Sequence, residues 1–352
     1  MKIGLISDSF SVKRGTGIAR YSQKILEGLQ KKGISVEPIC LKPPKIPFGE
    51  AFNHLFRLPY NVLKRTSEFD LLHATAPITA LCFPFIKKPK VITYHDIISM
   101  LNKDSGASLR VRLFAPHFFR IGKYCDRVIA VSTQTKEDLI KHLNIPAKKI
   151  VVINSGIDER FKPTNKKVDK DYYNIGYLGA LTKRKNIDFL LRSLNILKRK
   201  YNKLNIKLLI YGEGKHLSNL KAVADSLNLA NDIEFRGFVH DEELVKAYNS
   251  LDIFLLPSDW EGFGLLILEA QRCGLPVIIK KDANIPEEVS KHCLKIKSEQ
   301  DMVDIIFKLI NEPEFKIKIV QKGLNYSQNF TWEKTIDKTI EVYEEVISKK
   351  SV

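Results

Sequence analysis

Short apolar runs alternate with stretches of helical period along this chain, and this rhythm, which occurs in two series, limits its possible folds more than anything else. KIGLISD, FDLLHAT, PKVITYHD, DRVIAVS and KIVVINSG have the near-continuous Val/Ile/Leu character of strands covered on both faces, and IARYSQKILEGLQKKG and TQTKEDLIKHLNI between them are amphipathic. Strands of that kind, separated by helices, pair in parallel with helices on either side. The rhythm stops at ERFKPTNKKVDKDYYN, a polar, Lys-rich stretch holding Pro163, and resumes with NIGYLG, IKLLIYG, DIEFRG, DIFLLPS and LPVIIK. Helix signals then run from 314 to 350 with Trp332 in the middle, and no short-period repeat or low-complexity tract interrupts them. An α/β protein of two parallel-sheet domains is expected, over residues 1–168 and 169–335, with a closing helix at 336–352 that could pack back on the first domain. At 352 residues the chain is long enough for two cores.

Charge separates the two halves further. Residues 1–168 hold 29 Lys and Arg against 13 Asp and Glu, a net +16, and residues 169–352 hold 28 against 27, a net +1. The first half is therefore expected to face something anionic, whether nucleic acid, an acidic membrane surface or a phosphorylated substrate. Nucleic acid is the weakest of these, because no zinc-finger spacing, recognition-helix signature or aromatic strand motif accompanies the charge. The segments KPPKIPFGEAFNHLFRLPYNVLKR and SLRVRLFAPHFFRIGKYC mix Lys and Arg with Phe, Leu and Tyr, as an interfacial surface near anionic lipid headgroups would; aromatics in a core with solvated charges is the other reading. The five cysteines form no CxxC pair or Cys/His cluster, so inert thiols are expected rather than a zinc site or disulfides. No apolar run reaches the roughly 18 residues of a spanning helix. MKIGLISDSF is too short and meets Asp8 too early for a secretory signal, so a cytoplasmic protein is expected, with a peripheral place on the inner face of the membrane open.

Open parallel sheets bind ligands at the carboxyl ends of their strands, which makes the residues after each strand the informative ones. After the first strand, Gly15 and Gly17 precede a helix, where backbone N–H groups can approach an anion. The third glycine of the dinucleotide fingerprint is missing there. TYHDII puts His95 and Asp96 at another strand end, where an imidazole could meet a sugar hydroxyl or simply be structural. YLGALTKRKN ends a strand at Gly179 and offers Lys183, Arg184 and Lys185 before a helix near Asn186, a place for a diphosphate. YGEGKH repeats the strand-then-glycine pattern at Gly212 and Gly214, and RGFVHDEEL sets backbone near Phe238 and Val239 where a base could bind. In PSDWEGFGLLILEAQRCGLPVI, Gly262 and Gly264 free the backbone before a helix starting near Leu265. The N–H groups of Phe263, Gly264 and Leu265 could then point at phosphate or sugar oxygens. Glu261 precedes that helix and Glu269 lies about one turn inside it, neither needing to share the apolar face of Leu265, Leu266 and Leu268.

Taken together, these stretches resemble the retaining glycosyltransferases of family 4 over nearly the whole chain. GTGIARYS, YHD, VSTQTKEDLIKHLNIPAKKIVVINSGIDERFKP, GALTKRKN, GFVHDEELVKAYNSLDIFLLPS, EGFGLLILEA and CGLPVI follow the family's order, and Glu261 and Glu269 match its Glu-x7-Glu signature. The resemblance implies the GT-B fold, two Rossmann-like domains with parallel sheets facing across a cleft. It implies transfer of a hexose from a nucleotide-diphosphate sugar, GDP-mannose first and a UDP-hexose second, to a glycan or lipid-linked acceptor. Catalytic roles would fall to Glu261, His95, Lys185 and Arg184. Donor binding would fall to Gly15, Gly17, Val239, Gly262, Phe263, Gly264, Leu265 and Glu269, the last on the ribose hydroxyls. No cofactor or metal is expected, since fixed cations and helix N-termini can stabilise a leaving diphosphate and no Asp-x-Asp pair stands at a strand end. The chain departs from the family pattern at Ala180, where many members have Arg, at NSGID in place of Asn-Gly before the Val/Ile-Asp, and at KKDANIPE in place of a Gly-rich loop. A sugar-nucleotide epimerase or phosphorylase of the same fold is the alternative, since fold does not fix function. A silent binding module and a basic nucleic-acid-binding protein are more remote.

Overall fold

The structure is a computed structural model that describes residues 1–11, 17–46, 48–101, 118–164 and 172–350. The described residues divide into two compact units, one within 1–156 and 330–350 and the other within 157–329. The division therefore comes before the polar Lys-rich stretch, and the chain returns to the first unit for its last helix.

The first unit is built on six parallel strands, β1 (Lys2–Ile6), β2 (Ser35–Ile39), β3 (Leu71–Ala74), β4 (Lys90–Tyr94), β5 (Arg127–Ala130) and β6 (Ile150–Val152), in the order β2-β1-β3-β4-β5-β6. β3 and β4 are buried at every residue, which is why their sequences are apolar without alternation. One face carries a core of Ile6, Leu72, Ile92 and Val128. The other packs Ile3, Leu5, Leu71 and Val91 under the Gly17–Lys31 and Trp332–Lys350 helices. The closing helix contributes Ile336, Val342, Tyr343 and Val346 to that core, and Thr335 Oγ1 donates to the Asn154 carbonyl at 2.8 Å. Trp332 thus starts the last helix instead of lying inside a long one. The Thr133–Leu143 helix begins at Ser132, whose hydroxyl accepts from the Thr135 N–H at 3.0 Å, a side-chain N-cap.

The second unit repeats the plan with β7 (Tyr173–Leu178), β8 (Ile206–Tyr211), β9 (Ile233–Gly237), β10 (Ile253–Leu256), β11 (Val277–Lys280) and β12 (Leu294–Ile296), ordered β12-β11-β10-β7-β8-β9 and all parallel. In both sheets the chain starts in the middle, builds toward one edge, then crosses to the other side of its first strand. The strand order reverses beside β1 in the first sheet and between β7 and β10 in the second, and such a fork leaves an opening at the carboxyl ends of the strands. At the end of β8, Gly212 has φ +130°, and a Cβ there would come within 1.9 Å of the Gly179 carbonyl oxygen, so only glycine lets the loops after β7 and β8 lie this close. Among the described residues no helix is long and apolar enough to cross a membrane.

Candidate active site

At the β7/β10 fork the two strand ends bring together residues 76 positions apart. After β7 the chain turns at Gly179, and the Tyr177 hydroxyl donates to the Ala180 carbonyl at 3.0 Å. A 3-10 turn over Lys183–Lys185 follows, and Asn186, left-handed at φ 50°, leads into the Ile187–Lys200 helix. After β10, the Asp259 carbonyl accepts from the Asn284 N–H at 2.8 Å and the Glu261 N–H donates to the Asn284 carbonyl at 3.0 Å. The stretch before Gly262 is thus tied to the loop after β11. These two framed segments meet in a buried ion pair: Lys185 Nζ donates to Glu261 Oε1 at 2.6 Å, with the residues only 6% and 8% exposed.

The electrostatics of the pair follow from its surroundings. Burial would raise the Glu261 carboxyl, but the Lys185 ammonium, through charge and hydrogen bond, the Ser258 hydroxyl and the Arg184 guanidinium hold it below the usual carboxylate range. Burial, reinforced by the Glu261 charge, pushes the Tyr177 phenol well above its ordinary value. The result is an ionised carboxylate and an ammonium in a dry setting, where their interaction is strong and loss of either leaves the other uncompensated. Arg184, expected beside a diphosphate, also joins the two segments. Its guanidinium donates to the Trp260 carbonyl and its own carbonyl accepts from the Asp259 N–H at 3.3 Å, so it braces the segment that carries Glu261.

Gly264 opens the Leu265–Arg272 helix with φ +94° and no side-chain cap, so the helix begins with backbone at its N-terminus. Phe263 is buried, and Leu265 and Leu266 are half-buried. Ile267, Leu268, Glu269, Ala270 and Gln271 are all buried, so this helix is enclosed on every side there, and Glu269, 2% exposed, accepts from the Tyr248 hydroxyl at 2.8 Å. Glu269 is therefore buried although the helical period had set it apart from the apolar face of Leu265, Leu266 and Leu268, and Tyr248 is a partner that sequence spacing gave no sign of. Val239 lies half-buried after β9, next to the exposed Phe238, whose ring meets His240 edge-on at 5.2 Å.

In the first unit the residues after β1, β3 and β4 also converge, through neutral groups. Ser7 donates to Ser22 at 2.8 Å, Ser22 to Thr75 at 2.8 Å, and Thr75 to the Ile6 carbonyl at 3.2 Å. The Thr75 carbonyl meets His95 Nε2 at 3.0 Å, and since a carbonyl only accepts, this nitrogen carries the ring proton. The His95 ring stands edge-on to Tyr21 at 4.8 Å. Burial, opposed by the Thr75 carbonyl, lowers the imidazole to about 4, so it is neutral near pH 7 with its Nδ1 lone pair available. Behind it, His73 is fully buried between the Tyr343 hydroxyl at 2.6 Å and Thr93 Oγ1 at 2.8 Å, and burial lowers it to about 3. Gly17 is the first residue of its helix, and Gly15 lies outside the described residues. The sequence marked His95 by its strand-end position, but Ser7, Ser22 and Thr75 gave no separate signal. Among the described residues no group of three or more His, Cys, Asp and Glu is arranged to hold a metal ion.

Known proteins share this fold. Residues 157–326 match the model of the glycosyl transferases group 1, and residues 15–161 that of glycosyltransferase family 4. The serotype-specific mannosyltransferase WbdA of Escherichia coli is 26% identical over 266 residues, 71% of this chain and 33% of that protein. The phosphatidylinositol N-acetylglucosaminyltransferase gpi3 subunit of Schizosaccharomyces pombe is 26% identical over 312 residues, 86% of this chain and 66% of that protein. The chain thus spans about a third of the first relative and about two thirds of the second. The crystal structure of Anabaena HepE in complex with UDP and glucose superposes with a TM-score of 0.75 at 20% identity, covering 98% of this chain and 99% of that one.

Proposed function

The chain belongs to the group 1, family 4 glycosyltransferases of GT-B fold, and from that premise we propose that it moves a hexose from a nucleoside-diphosphate sugar to a hydroxyl of a glycan or lipid-linked acceptor, with retention and without a metal. The observation that carries this reading is the buried Lys185–Glu261 pair at the β7/β10 fork, beside the glycine-opened start of the Leu265–Arg272 helix.

A nucleoside diphosphate gathers negative charge as the bond from sugar C1 to its phosphate oxygen breaks. Lys185, already fixed and shielded from water, would take that charge, and the N-terminus of the Leu265–Arg272 helix would add its dipole. Glu261, kept ionised by Lys185, would stand against the sugar and favour its oxocarbenium-like character. Arg184 would act through position, holding Trp260 and hence Glu261 in place. Glu269, with Tyr248 behind it, would take the ribose hydroxyls. For retention the acceptor oxygen bonds to C1 on the face the diphosphate leaves. The departing phosphate oxygen is then the nearest base for the acceptor proton, and no protein nucleophile is required. Neutral His95 would offer its Nδ1 lone pair to a sugar hydroxyl near the acceptor.

GDP-mannose is the first donor to try, as a mannosyltransferase is among the relatives, and a UDP-hexose the second, as HepE was solved with UDP and glucose. A lipid-linked acceptor at an anionic cytoplasmic surface fits the +16 charge of residues 1–168. No observation favours an epimerase or a phosphorylase. The test is slow donor hydrolysis across GDP-, UDP- and ADP-sugars in EDTA, with Glu261→Gln as control. Release of one nucleotide, lost in the variant, is expected; release only on adding a divalent cation would overturn metal independence, and no release or thermal shift with any donor would overturn the transferase reading.

A further inference from the structure

Residues 49–65 form one interrupted helix: Gly49–Phe52, a π turn over Asn53–Arg57, and Leu58–Arg65. Its buried side is Gly49, Asn53, Leu58 and Val62, and the step of five between Asn53 and Leu58 falls across the π turn. A π turn accommodates one extra residue, so the inward stripe stays on one face despite the irregular spacing. Asn53 anchors it by donating from Nδ2 to the Leu41 carbonyl at 2.9 Å.

The outward side should be polar in a soluble domain, and it is not. Phe48, Phe52, Phe56 and Tyr60 recur every four residues on it, 80%, 45%, 61% and 69% exposed, with Leu55 and Leu63 beside them. Phe52 and Phe56 meet each other with ring centroids 5.6 Å apart. Lys42, Lys45 and Lys64 are exposed around this ridge with no carboxylate partner among the described residues. Over residues 42–65 five Lys and Arg stand against one acid, Glu50. The Pro77–Ala80 turn packs against the Leu58–Arg65 helix and against the Arg120–Tyr124 turn, which adjoins the Phe83–Phe85 turn. There Phe85 and Tyr124 are 79% and 57% exposed beside Lys87, Arg120 and Lys123. The aromatics of the 42–65 segment are thus surface residues, while residues 108–117 of the second basic-aromatic segment lie outside the described residues.

We infer that this ridge is the element that docks the first unit on an anionic bilayer, the apolar stripe entering the headgroup boundary and the lysines remaining at lipid phosphates. An aromatic stripe on the outside of a helix, rimmed by unpaired lysines, matches an interface that is apolar below and negative at its surface. The inference names the surface through which a lipid-linked acceptor would be reached, and for that purpose it rests on the reading above.

The test uses the full chain with vesicles of phosphatidylcholine, with and without phosphatidylglycerol. Co-sedimentation with the anionic vesicles is expected, weakening about fivefold for each of Lys42→Gln and Lys45→Gln. The triple variant Phe52→Ser/Phe56→Ser/Tyr60→Ser should lose binding while keeping the wild-type thermal midpoint and donor hydrolysis. In Phe56→Trp the added emission should shift blue and be quenched by brominated lipid only when anionic vesicles are present. No sedimentation, or sedimentation unchanged in the triple variant, would overturn the inference. A blue shift without vesicles, together with dimer formation in sedimentation velocity, would overturn it in favour of a second copy of the chain. Intact vesicle binding without donor hydrolysis would contradict the transferase reading and leave the docking surface standing.

Discussion

Where β7 and β10 part, the second unit buries an ammonium against a carboxylate; where the order reverses beside β1, the first unit buries hydroxyls and imidazoles that carry no charge near pH 7. The topology of the two openings is alike, and the difference lies in what the loops supply. A charged, dry pair suits a reaction centre where negative charge develops, because its energy changes steeply when an anion arrives. A neutral network suits recognition of hydroxyls, each of which donates and accepts. The net charge of the halves runs the other way, +16 against +1, so the buried ion pair sits in the half with the smaller net charge. Net charge describes a surface, whereas the site depends on how few charges are desolvated.

The largest break in this contrast is expected from Lys185→Ala. It leaves a buried carboxylate unpaired, which costs about 3–5 kcal/mol, and it should lower the urea midpoint of the second unit's transition. Lys185→Met/Glu261→Gln should recover much of that loss. A single-variant cost under about 1 kcal/mol, typical of exposed pairs, would mean the pair is not desolvated.

Acid should separate the units next. His73 and His95 are lowered from 6.5 to about 3 and about 4, chiefly by burial, so as pH falls the unfolded chain takes up their protons first. Their contribution to stability is complete above pH 6.5 and is lost as pH falls toward those values. Glu261 is held below its ordinary 4.5, so its contribution is complete above that pH and is lost only as pH falls further, through its folded value. In the second unit, the more open His292 is also lowered, by burial and then by Lys291 and Lys322. Between pH 6.5 and 4.5 the first unit should therefore lose more stability than the second, which hydrogen exchange resolved by unit can check. Equal loss in both would contradict the assignment of neutral histidines, His73 buried and His95 half-buried.

A smaller effect is expected from Tyr343→Phe. It removes the closing helix's hydroxyl from His73 Nδ1 and leaves a buried nitrogen unpaired, at about 1–3 kcal/mol. Donor hydrolysis should be unchanged, whereas a large loss of hydrolysis would mean that the neutral network reaches the reaction.

Ten of the twelve strands were legible in the sequence, eight of them interior strands whose burial on both faces makes them largely apolar. β2 and β12 escaped for a physical reason. Both are edge strands, as the legible β6 and β9 are, but β2 is half-open and interrupted by Pro38, which an edge tolerates, and the three residues of β12 include Lys295 where the three of β6 are all apolar. At the site, Glu261, Lys185, Gly264 and His95 could be picked out as strand-end or helix-start residues. Their partners could not: Lys185 and Glu261 become neighbours only because β7 and β10 are adjacent, a consequence of strand order. Arg184 could be expected on charge alone to bind an anion, and its donation from one guanidinium nitrogen to the Trp260 carbonyl gave no sign in the sequence. The burial of Glu269 against Tyr248 was likewise hidden, since helical period sorts residues by polarity and places a carboxylate outside unless a hydrogen-bond partner waits within.

The most direct test of the central claim, that the Lys185–Glu261 pair is where the donor's diphosphate binds, is calorimetric titration of GDP and UDP into wild type, Lys185→Gln and His95→Gln, in EDTA. One nucleotide should bind the wild type and the His95 variant with similar affinity and the Lys185 variant about 10- to 100-fold more weakly, as expected for a lost charge-assisted contact of about 1.5–3 kcal/mol. Equal binding by all three proteins would contradict the claim and place the diphosphate elsewhere.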